Sequence, residues 1–251
     1  MAAPPPELGY RRAMGRPRTF DEEAILDRAM LLFWRKGYEA TSMNDLVEEL
    51  ELGRGSIYAA FGDKHRLFVQ ALGRYLGRQS ELLAAALDDR QPALPQLRHL
   101  FETLLRADAA CSGAGCFSVN SIAELLPGDA AVAELARTSL RSAEDAFTAQ
   151  LVRAEAAGEL NDAVTPREAA HLLLALVQGL QILRKADPDP ARLAASLDSA
   201  FALIRRPAAV RPDDRAAEPL GEPGAVSGTA PHTVPHAVPL AAPLGAPLGV
   251  A

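Results

Sequence analysis

A helical spacing of apolar residues runs through most of the chain, and this feature constrains the fold more than any other. Between residues 20 and 206 apolar side chains recur every three or four positions, and no alternating apolar and polar run lies between turn residues. Ile25, Ala29, Leu32 and Phe33, for example, fall at i, i+4, i+7 and i+8, which is the spacing of a core-facing stripe. We therefore predict an all-α protein.

The first part of the chain contains the signals of four helices. The first is predicted from about 21 to 36, and the second opens at TSMNDLVEEL, where Ser42 and Asp45 have the spacing of a capping box. A third short helix is predicted over about 54–61, and Asp63 is positioned to cap a fourth. Two short helices joined by a glycine-containing turn are typical of a helix-turn-helix, whose second helix enters the major groove of DNA.

Two glycines stand at the start of the third helix, in the sequence LGRGSIYAAFGD. A glycine inside a helix costs about 1 kcal/mol relative to alanine, so Gly53 and Gly55 need a reason. At a helix N-terminus they leave backbone N–H groups uncovered, where phosphates and base edges can approach. The pattern predicts that this end of the helix faces DNA.

Charge is distributed unevenly along the chain. The net charge of −6 argues against a general nucleic-acid binder. Residues 1–80 nevertheless carry 12 Lys and Arg against 11 Asp and Glu, whereas residues 81–206 carry 12 against 17 and residues 207–251 carry 2 against 4. The N-terminal part is therefore the part that suits DNA.

Much of the positive charge lies in a short arm ahead of the first helix. Arg16 and Arg18 flank Pro17 in this arm, and Arg11 and Arg12 precede them. A basic arm beside a helix-turn-helix suits tracking of the minor groove. The alternative is a solubility segment, and translation from Met14 would remove only Arg11 and Arg12.

Residues 25–68 resemble the TetR family of bacterial transcriptional regulators through ILDRAMLLFWRKGYEATSMNDLVEELELGRGSIYAAFGDKHRLF, and GRPR precedes them as in many members. The resemblance implies a homodimer that binds double-stranded DNA at a palindromic operator and is released by a small-molecule effector. It also implies an N-terminal three-helix DNA-binding domain and a larger helical effector-binding and dimerisation domain. By position, the DNA-contacting residues implied are Thr41, Ser42, Arg54, Gly55, Ser56, Tyr58 and Lys64, with Arg16 and Arg18 in the arm.

Within that set the roles differ. The resemblance places Thr41 and Ser42 against phosphate from the second helix and Lys64 against phosphate from the fourth. Alternatively, Lys64 is an ordinary solvated lysine at a helix start, and Tyr58 is only a packing residue. Many members carry aromatic residues or histidine where this chain has Ala59 and Ala60, so we expect Arg54 and the arm to contribute more of the recognition.

Four segments are predicted. Residues 1–17 form the flexible basic arm, 18–78 the helix-turn-helix domain, 79–206 the effector-binding and dimerisation domain, and 207–251 a disordered tail. Nine of the last 45 residues are proline, and such a segment cannot bury enough surface to offset its ordering entropy. This tail is as readily a linker remnant or an inert extension as a functional segment.

The second domain divides into five predicted helices. The segment 166–185 is apolar on most sides and carries small residues, so it should be buried on both faces. Together with 190–204 it is the natural dimer interface, since two helices from each chain can form a four-helix bundle. Such a dimer places two recognition helices about 34 Å apart, on successive major-groove faces of a palindrome.

An effector site is expected among the middle helices. Cys116 starts a helix, where the dipole favours the thiolate, and Cys111 lies five residues away in a glycine-rich turn. This Gly-Cys segment resembles the subgroup of the family that includes the N-ethylmaleimide-responsive repressor. Cys116 is alternatively a small buried hydrophobe, and His171 alternatively a hydrogen-bonded core histidine. The candidate effector-binding residues are Cys111, Cys116, Phe117, Asn120, Phe147, His171 and Gln178, with Glu124 as a further lining residue.

Other classes of function find little support in the sequence. No phosphate loop, metal-ligand spacing or catalytic triad is visible, so we expect neither an enzyme nor a cofactor or metal. The lack of a secretory signal and of an apolar run of about 18 residues favours a cytoplasmic protein without a membrane partner. The alternative is a structural DNA-binding dimer that does not respond to a ligand. A large apolar pocket in the structure would count against this alternative.

Overall fold

The computed structural model describes residues 20–107 and 115–207. Within these ranges the regular structure is helical, apart from one isolated bridge between Leu160 and Arg205, and the all-α prediction is confirmed. The predicted arm, Cys111 and almost all of the predicted tail lie outside the described residues. In chain order the helices are α1 (Glu22–Lys36), α2 (Met43–Leu50), α3 (Arg54–Phe61), α4 (Lys64–Ala86), α5 (Ala93–Ala107), α6 (Phe117–Leu125), α7 (Ala130–Ala156), α8 (Pro166–Ala186) and α9 (Pro190–Ile204).

The first helices begin where the sequence predicts. The Asp21 carboxylate caps α1 by accepting hydrogen bonds from two backbone N–H groups of the first turn. Ser42 and Asp45 form both hydrogen bonds of the capping box at α2, and Asp63 caps α4. Because caps satisfy N–H groups that have no partner inside the helix, these short polar side chains fix the helix starts.

Two apolar cores hold the described residues together. The first is built by α1 to α4, and Phe117 of α6 and Val132 of α7 join it. The second is built by α5, α7, α8 and α9. Because α4 is one continuous helix from Lys64 to Ala86, the predicted boundary after residue 78 falls inside a helix, and that boundary stays a prediction.

An ion-pair cluster joins α1 to α4. Asp27 of α1 accepts a hydrogen bond from Arg74 Nε at 2.8 Å and two from the Arg78 guanidinium, at 2.7 and 2.8 Å. Burial by itself raises the pKa of the Asp27 carboxyl, but the hydrogen bonds from both arginines outweigh it and lower the pKa below its ordinary value. The cluster fixes α4, which continues beyond residue 78, to the first helix.

Within the single chain, α8 is buried on one face only. The residues that face the second core include Ala170, Leu173, Val177 and Leu180. Large apolar side chains lie exposed on the other face of α8 and near the end of α9: Leu172, Ile182, Leu183 and Leu203. The predicted burial of both faces is therefore not met by one chain. No described helix combines the length and apolarity that crossing a membrane requires.

Candidate nucleic-acid interface

Helix α3, predicted to face DNA, has a buried side and an open side. Ile57 is fully buried and Phe61 is 3% exposed. Successive helical residues are rotated by about 100°, so Gly55 and Ala59, two positions before each of them, lie on the opposite side. Arg54, Ser56 and Tyr58 are also exposed, while the smallest side chains occupy the outermost line.

The protein's own fold does not require glycine at the start of α3. Gly53 has φ −61° and no side chain caps the helix. A Cβ added at Gly53 or Gly55 would meet no atom of the described residues within 4 Å, and neither residue has a positive φ. The space beside the start of α3 is therefore open in the described structure, and a phosphate or a base edge could come close to the backbone there.

Arg54 is tied to the preceding helix. Its Nη2 donates a hydrogen bond to Asn44 Oδ1 at 2.8 Å. The guanidinium carries five N–H donors in a fixed fork, so this bond orients the side chain and leaves donors for DNA. Arg54 thus lies at the junction of α2 and α3.

The start of α2 is exposed and rigidly capped. The Ser42 hydroxyl donates to Asp45 Oδ2 at 2.6 Å, and its oxygen accepts from the Asp45 N–H at 3.1 Å. Lys36 Nζ lies 2.6 Å from the same carboxylate oxygen, and with the bonds from Ser42 it holds the pKa of Asp45 far below its ordinary value. The Ser42 hydroxyl proton is therefore engaged within the protein, and a phosphate contact would use the backbone N–H groups of the first turn.

Thr41 differs from the expectation of a side-chain contact with phosphate. Its side chain is buried, with 1% of the residue exposed, and its hydroxyl donates to the Gly37 carbonyl at 2.5 Å. The turn between α1 and α2 folds back on itself and takes this hydroxyl inward. Thr41 consequently shapes the turn rather than presenting its side chain to a ligand.

Lys64 is neither simply solvated nor simply presented to DNA. Its Nζ donates to the Thr41 carbonyl at 2.7 Å and lies 4.2 Å from the centre of the Tyr38 ring, a cation–π distance. The ammonium therefore connects the start of α4 to the turn before α2. It has three donors, so a phosphate contact is compatible with this position.

Comparison with known proteins decides the family. Residues 25–71 match the family described as "Bacterial regulatory proteins, tetR family", and residues 93–201 match "Tetracyclin repressor-like, C-terminal domain". The chain is 32% identical over 174 residues to the HTH-type transcriptional repressor ComR of Escherichia coli (strain K12), covering 68% of this chain and 83% of that protein. The chain belongs to the TetR family.

Solved TetR-family structures agree with this assignment. A cysteine mutant of the regulator CifR, complexed with a 26-base-pair double-strand operator DNA, is 29% identical, with a TM-score of 0.65 over 76% of this chain and 100% of that one. Reduced E. coli NemR is 20% identical, with a TM-score of 0.66 over 74% of this chain and 98% of that one, and this likeness shows the fold alone. The TetR-family chain is a DNA-binding transcriptional regulator.

The predicted effector residues of this TetR-family chain do not form one site, although Cys116, Phe117 and Asn120 lie together at the start of α6. Phe117 lies in the first core, stacked 6.0 Å from the ring of Trp34, whereas Phe147 lies in the second core, 5.0 Å from Phe101. His171 is an exposed residue whose Nε2 lies 2.9 Å from Glu144 Oε1, so it is not a core histidine. The aromatic pair therefore serves two separate cores.

The remaining candidates are also dispersed. Asn120 Oδ1 accepts a hydrogen bond from Lys185 Nζ at 2.9 Å, and Gln178 is half-buried on α8. Glu124 faces the turn between α1 and α2 rather than a ligand cavity. In the described part of the chain, one cavity of about 240 Å³ lies between the end of α4 and α5 and another of about 320 Å³ lies along α1 and α2. None of the predicted residues lines either cavity.

One polar side chain in the second domain was missed. Gln181 of α8 is buried, and its Oε1 has no hydrogen-bond partner among the described residues. An unsatisfied buried acceptor is costly, and no sequence signal distinguishes this glutamine from the half-buried Gln178 in the same helix.

The start of α6 packs directly on α1 and α4. The Gly115 carbonyl accepts a hydrogen bond from Nε1 of the buried Trp34 at 2.8 Å. Cys116 is the N-cap residue of α6, as predicted, and is half-buried with its Sγ 3.5 Å from the Tyr75 hydroxyl. Cys116 is therefore next to the contact with α1 and itself contacts α4, so a modification of its thiol would affect both.

Proposed function

We propose that this chain binds a palindromic operator as a homodimer and represses transcription until a small-molecule or thiol-reactive effector releases it. One observation supports the DNA-binding surface: at the start of α3 no described atom lies within 4 Å of a Cβ added at either glycine, and no side chain caps the helix. The relative ComR is named a transcriptional repressor, and the similar CifR mutant was solved on operator DNA. Both support the proposal.

The proposed DNA contacts centre on the start of α3. Arg54 and Tyr58 provide side chains, and Gly55 and Ser56 allow the backbone to come close. Ser42 marks the open start of α2, where backbone N–H groups suit phosphate. In the full proposed set, Lys64 adds charge near the turn before α2, Thr41 acts by shaping that turn, and Arg16 and Arg18 act from the arm.

The proposed dimer interface is the exposed face of α8 with the end of α9. Leu172 and Leu183 lie on the same face of α8, three helical turns apart, and Leu203 is exposed on α9. Gly179 lies on that face too, with nothing within 4 Å of a built Cβ. A second helix can therefore approach closely, and two helices from each chain then complete a bundle.

The proposed thiol response centres on Cys116. Its position at the start of α6 favours the thiolate, and a bulky adduct on Sγ would displace the Tyr75 hydroxyl 3.5 Å away. Comparing operator release by an oxidant for wild type and Cys116→Ser tests this response. We expect release from wild type and little from the variant, whereas equal release leaves Cys116 as a structural residue.

The DNA-binding proposal is tested with fragments of genomic DNA retained by the purified full-length protein. We expect a palindrome among the retained sequences. In gel-shift titrations, Arg54→Ala should weaken binding to it by about 1–3 kcal/mol. Arg90→Ala, in the exposed turn between α4 and α5, is the matched control and should bind like wild type. Unchanged affinity for Arg54→Ala refutes the assignment of Arg54.

A further inference from the structure

Glu124 at the end of α6 reaches the turn between α1 and α2. Its Oε2 accepts a hydrogen bond from the Tyr38 N–H at 3.0 Å, and its Oε1 accepts one from the Glu39 N–H at 2.8 Å. Gly37, beside them, has φ +86°, and a Cβ there would lie 3.1 Å from Oε1. The carboxylate thus occupies the space that a side chain at residue 37 would need.

This turn controls where α2 begins. The Thr41 hydroxyl closes the turn on the Gly37 carbonyl, and Lys64 Nζ fixes the Thr41 carbonyl. Ser42, the next residue, is the N-cap of α2. Glu124 adds a contact from α6, which lies more than 80 residues further along the chain. The orientation of α2 therefore depends partly on a side chain outside the helix-turn-helix.

We infer that Glu124 is a positioning residue for operator binding, and this inference rests on the proposed function. Its two carboxylate oxygens accept the two neighbouring N–H groups at once. A glutamine has one acceptor oxygen and an NH2 group that only donates, so it satisfies one N–H and turns a donor toward the other. Glu124→Gln therefore releases the turn without changing the size of the side chain.

The sign of the effect on affinity separates positioning from charge. Removing a negative charge from a DNA-binding protein favours binding, because DNA phosphates repel carboxylates. Loss of positioning weakens binding, because α2 and α3 no longer hold one orientation. A weaker complex for Glu124→Gln is thus opposite to the result expected from electrostatics alone.

The experiment compares full-length wild type, Glu124→Gln, Glu124→Asp and the control Glu134→Gln, each checked for an intact thermal transition. Glu134 is an exposed carboxylate of α7 beside Arg137. On the palindrome retained by wild type, Glu124→Gln should bind about three- to tenfold more weakly. Glu124→Asp, which keeps the charge but is one methylene shorter, should also bind more weakly, and Glu134→Gln should bind as well as wild type or better. Affinity equal to or above wild type for Glu124→Gln overturns the inference.

A second arm works on the protein without DNA. Hydrogen exchange at the Tyr38 and Glu39 amides should be at least threefold faster in Glu124→Gln, while exchange in α8 stays unchanged. Equal exchange rates at these two amides in wild type and Glu124→Gln overturn the inference, whatever the result of the binding experiment. If wild type retains no DNA fragment, the proposed function fails, and the exchange measurement still decides whether Glu124 fixes the turn.

Discussion

Substituting Gly55 by alanine should make the protein more stable and make it bind DNA less well. Gly55 lies in the first turn of α3, has no positive φ, and has nothing within 4 Å of a built Cβ. Alanine is favoured over glycine in a helix by about 0.5–1 kcal/mol, and the open space imposes no opposing strain. The free energy of unfolding should therefore rise by up to about 1 kcal/mol, which raises Tm by roughly 2–4 °C in a chain of this size.

The expected loss of DNA affinity follows from close approach of the backbone. If the start of α3 lies in van der Waals contact with the duplex, an added methyl group must push the helix outward or distort its contacts. Overpacking of this kind typically costs about 1–3 kcal/mol. At about 1.4 kcal/mol per factor of ten, operator binding should weaken by roughly 5- to 150-fold.

The assay pairs thermal unfolding with gel-shift titration for Gly55→Ala and the control Gly77→Ala. Gly77 is an exposed glycine inside α4, also with nothing within 4 Å of a built Cβ, so alanine there should stabilise the protein by a similar amount. Its operator affinity should not change. A Gly55→Ala protein that is stabilised and still binds the operator like wild type would refute the reasoning that glycine is needed for close approach.

Three further predictions concern the cores, the α1–α4 cluster and the dimer. Trp34→Phe removes the hydrogen bond to the Gly115 carbonyl and should lower the free energy of unfolding by about 1–3 kcal/mol, measured by circular dichroism in urea; an unchanged value contradicts it. Because the pKa of Asp27 is lowered in the folded state, its stabilisation is present above about pH 4 and is lost as pH falls through the folded pKa. In Asp27→Asn the free energy of unfolding should therefore depend less steeply on pH below about pH 4. An identical slope in wild type and variant contradicts a stabilising role of the cluster. Leu183→Glu should shift sedimentation from dimer toward monomer while Leu82→Glu, on α4, does not, and a dimer in both variants rejects the α8 face.

Local features were predictable from the sequence because they depend on near neighbours. The caps at Ser42 and Asp63 and the buried side of α3 follow from the spacing of polar and apolar residues over a few positions. The same local rules gave the open start of α3 at Gly53 and Gly55. Each of these features is decided within one or two helical turns.

Features that depend on contacts between distant segments were not predictable. From its place in a turn, Thr41 is expected to be exposed. In the structure its hydroxyl is instead turned inward and bonded to the Gly37 carbonyl. Phe117 follows Cys116 and looks like part of a ligand site, but its ring is taken by the nearest core, which belongs to the first helices. Glu124 contacts N–H groups 85 and 86 positions away. Spacing along the sequence contains no information about such partners.

The central claim, that the chain is a dimeric DNA-binding regulator acting through α2 and α3, is tested most directly by a footprint on the retained DNA. We expect two protected segments related by a dyad, about 34 Å or a multiple of it apart, in a complex that contains two chains per palindrome. With Arg54→Ala, protection of both segments should require a roughly 5- to 150-fold higher protein concentration. Protection without dyad symmetry, or no DNA retained by the folded full-length protein, would contradict the claim.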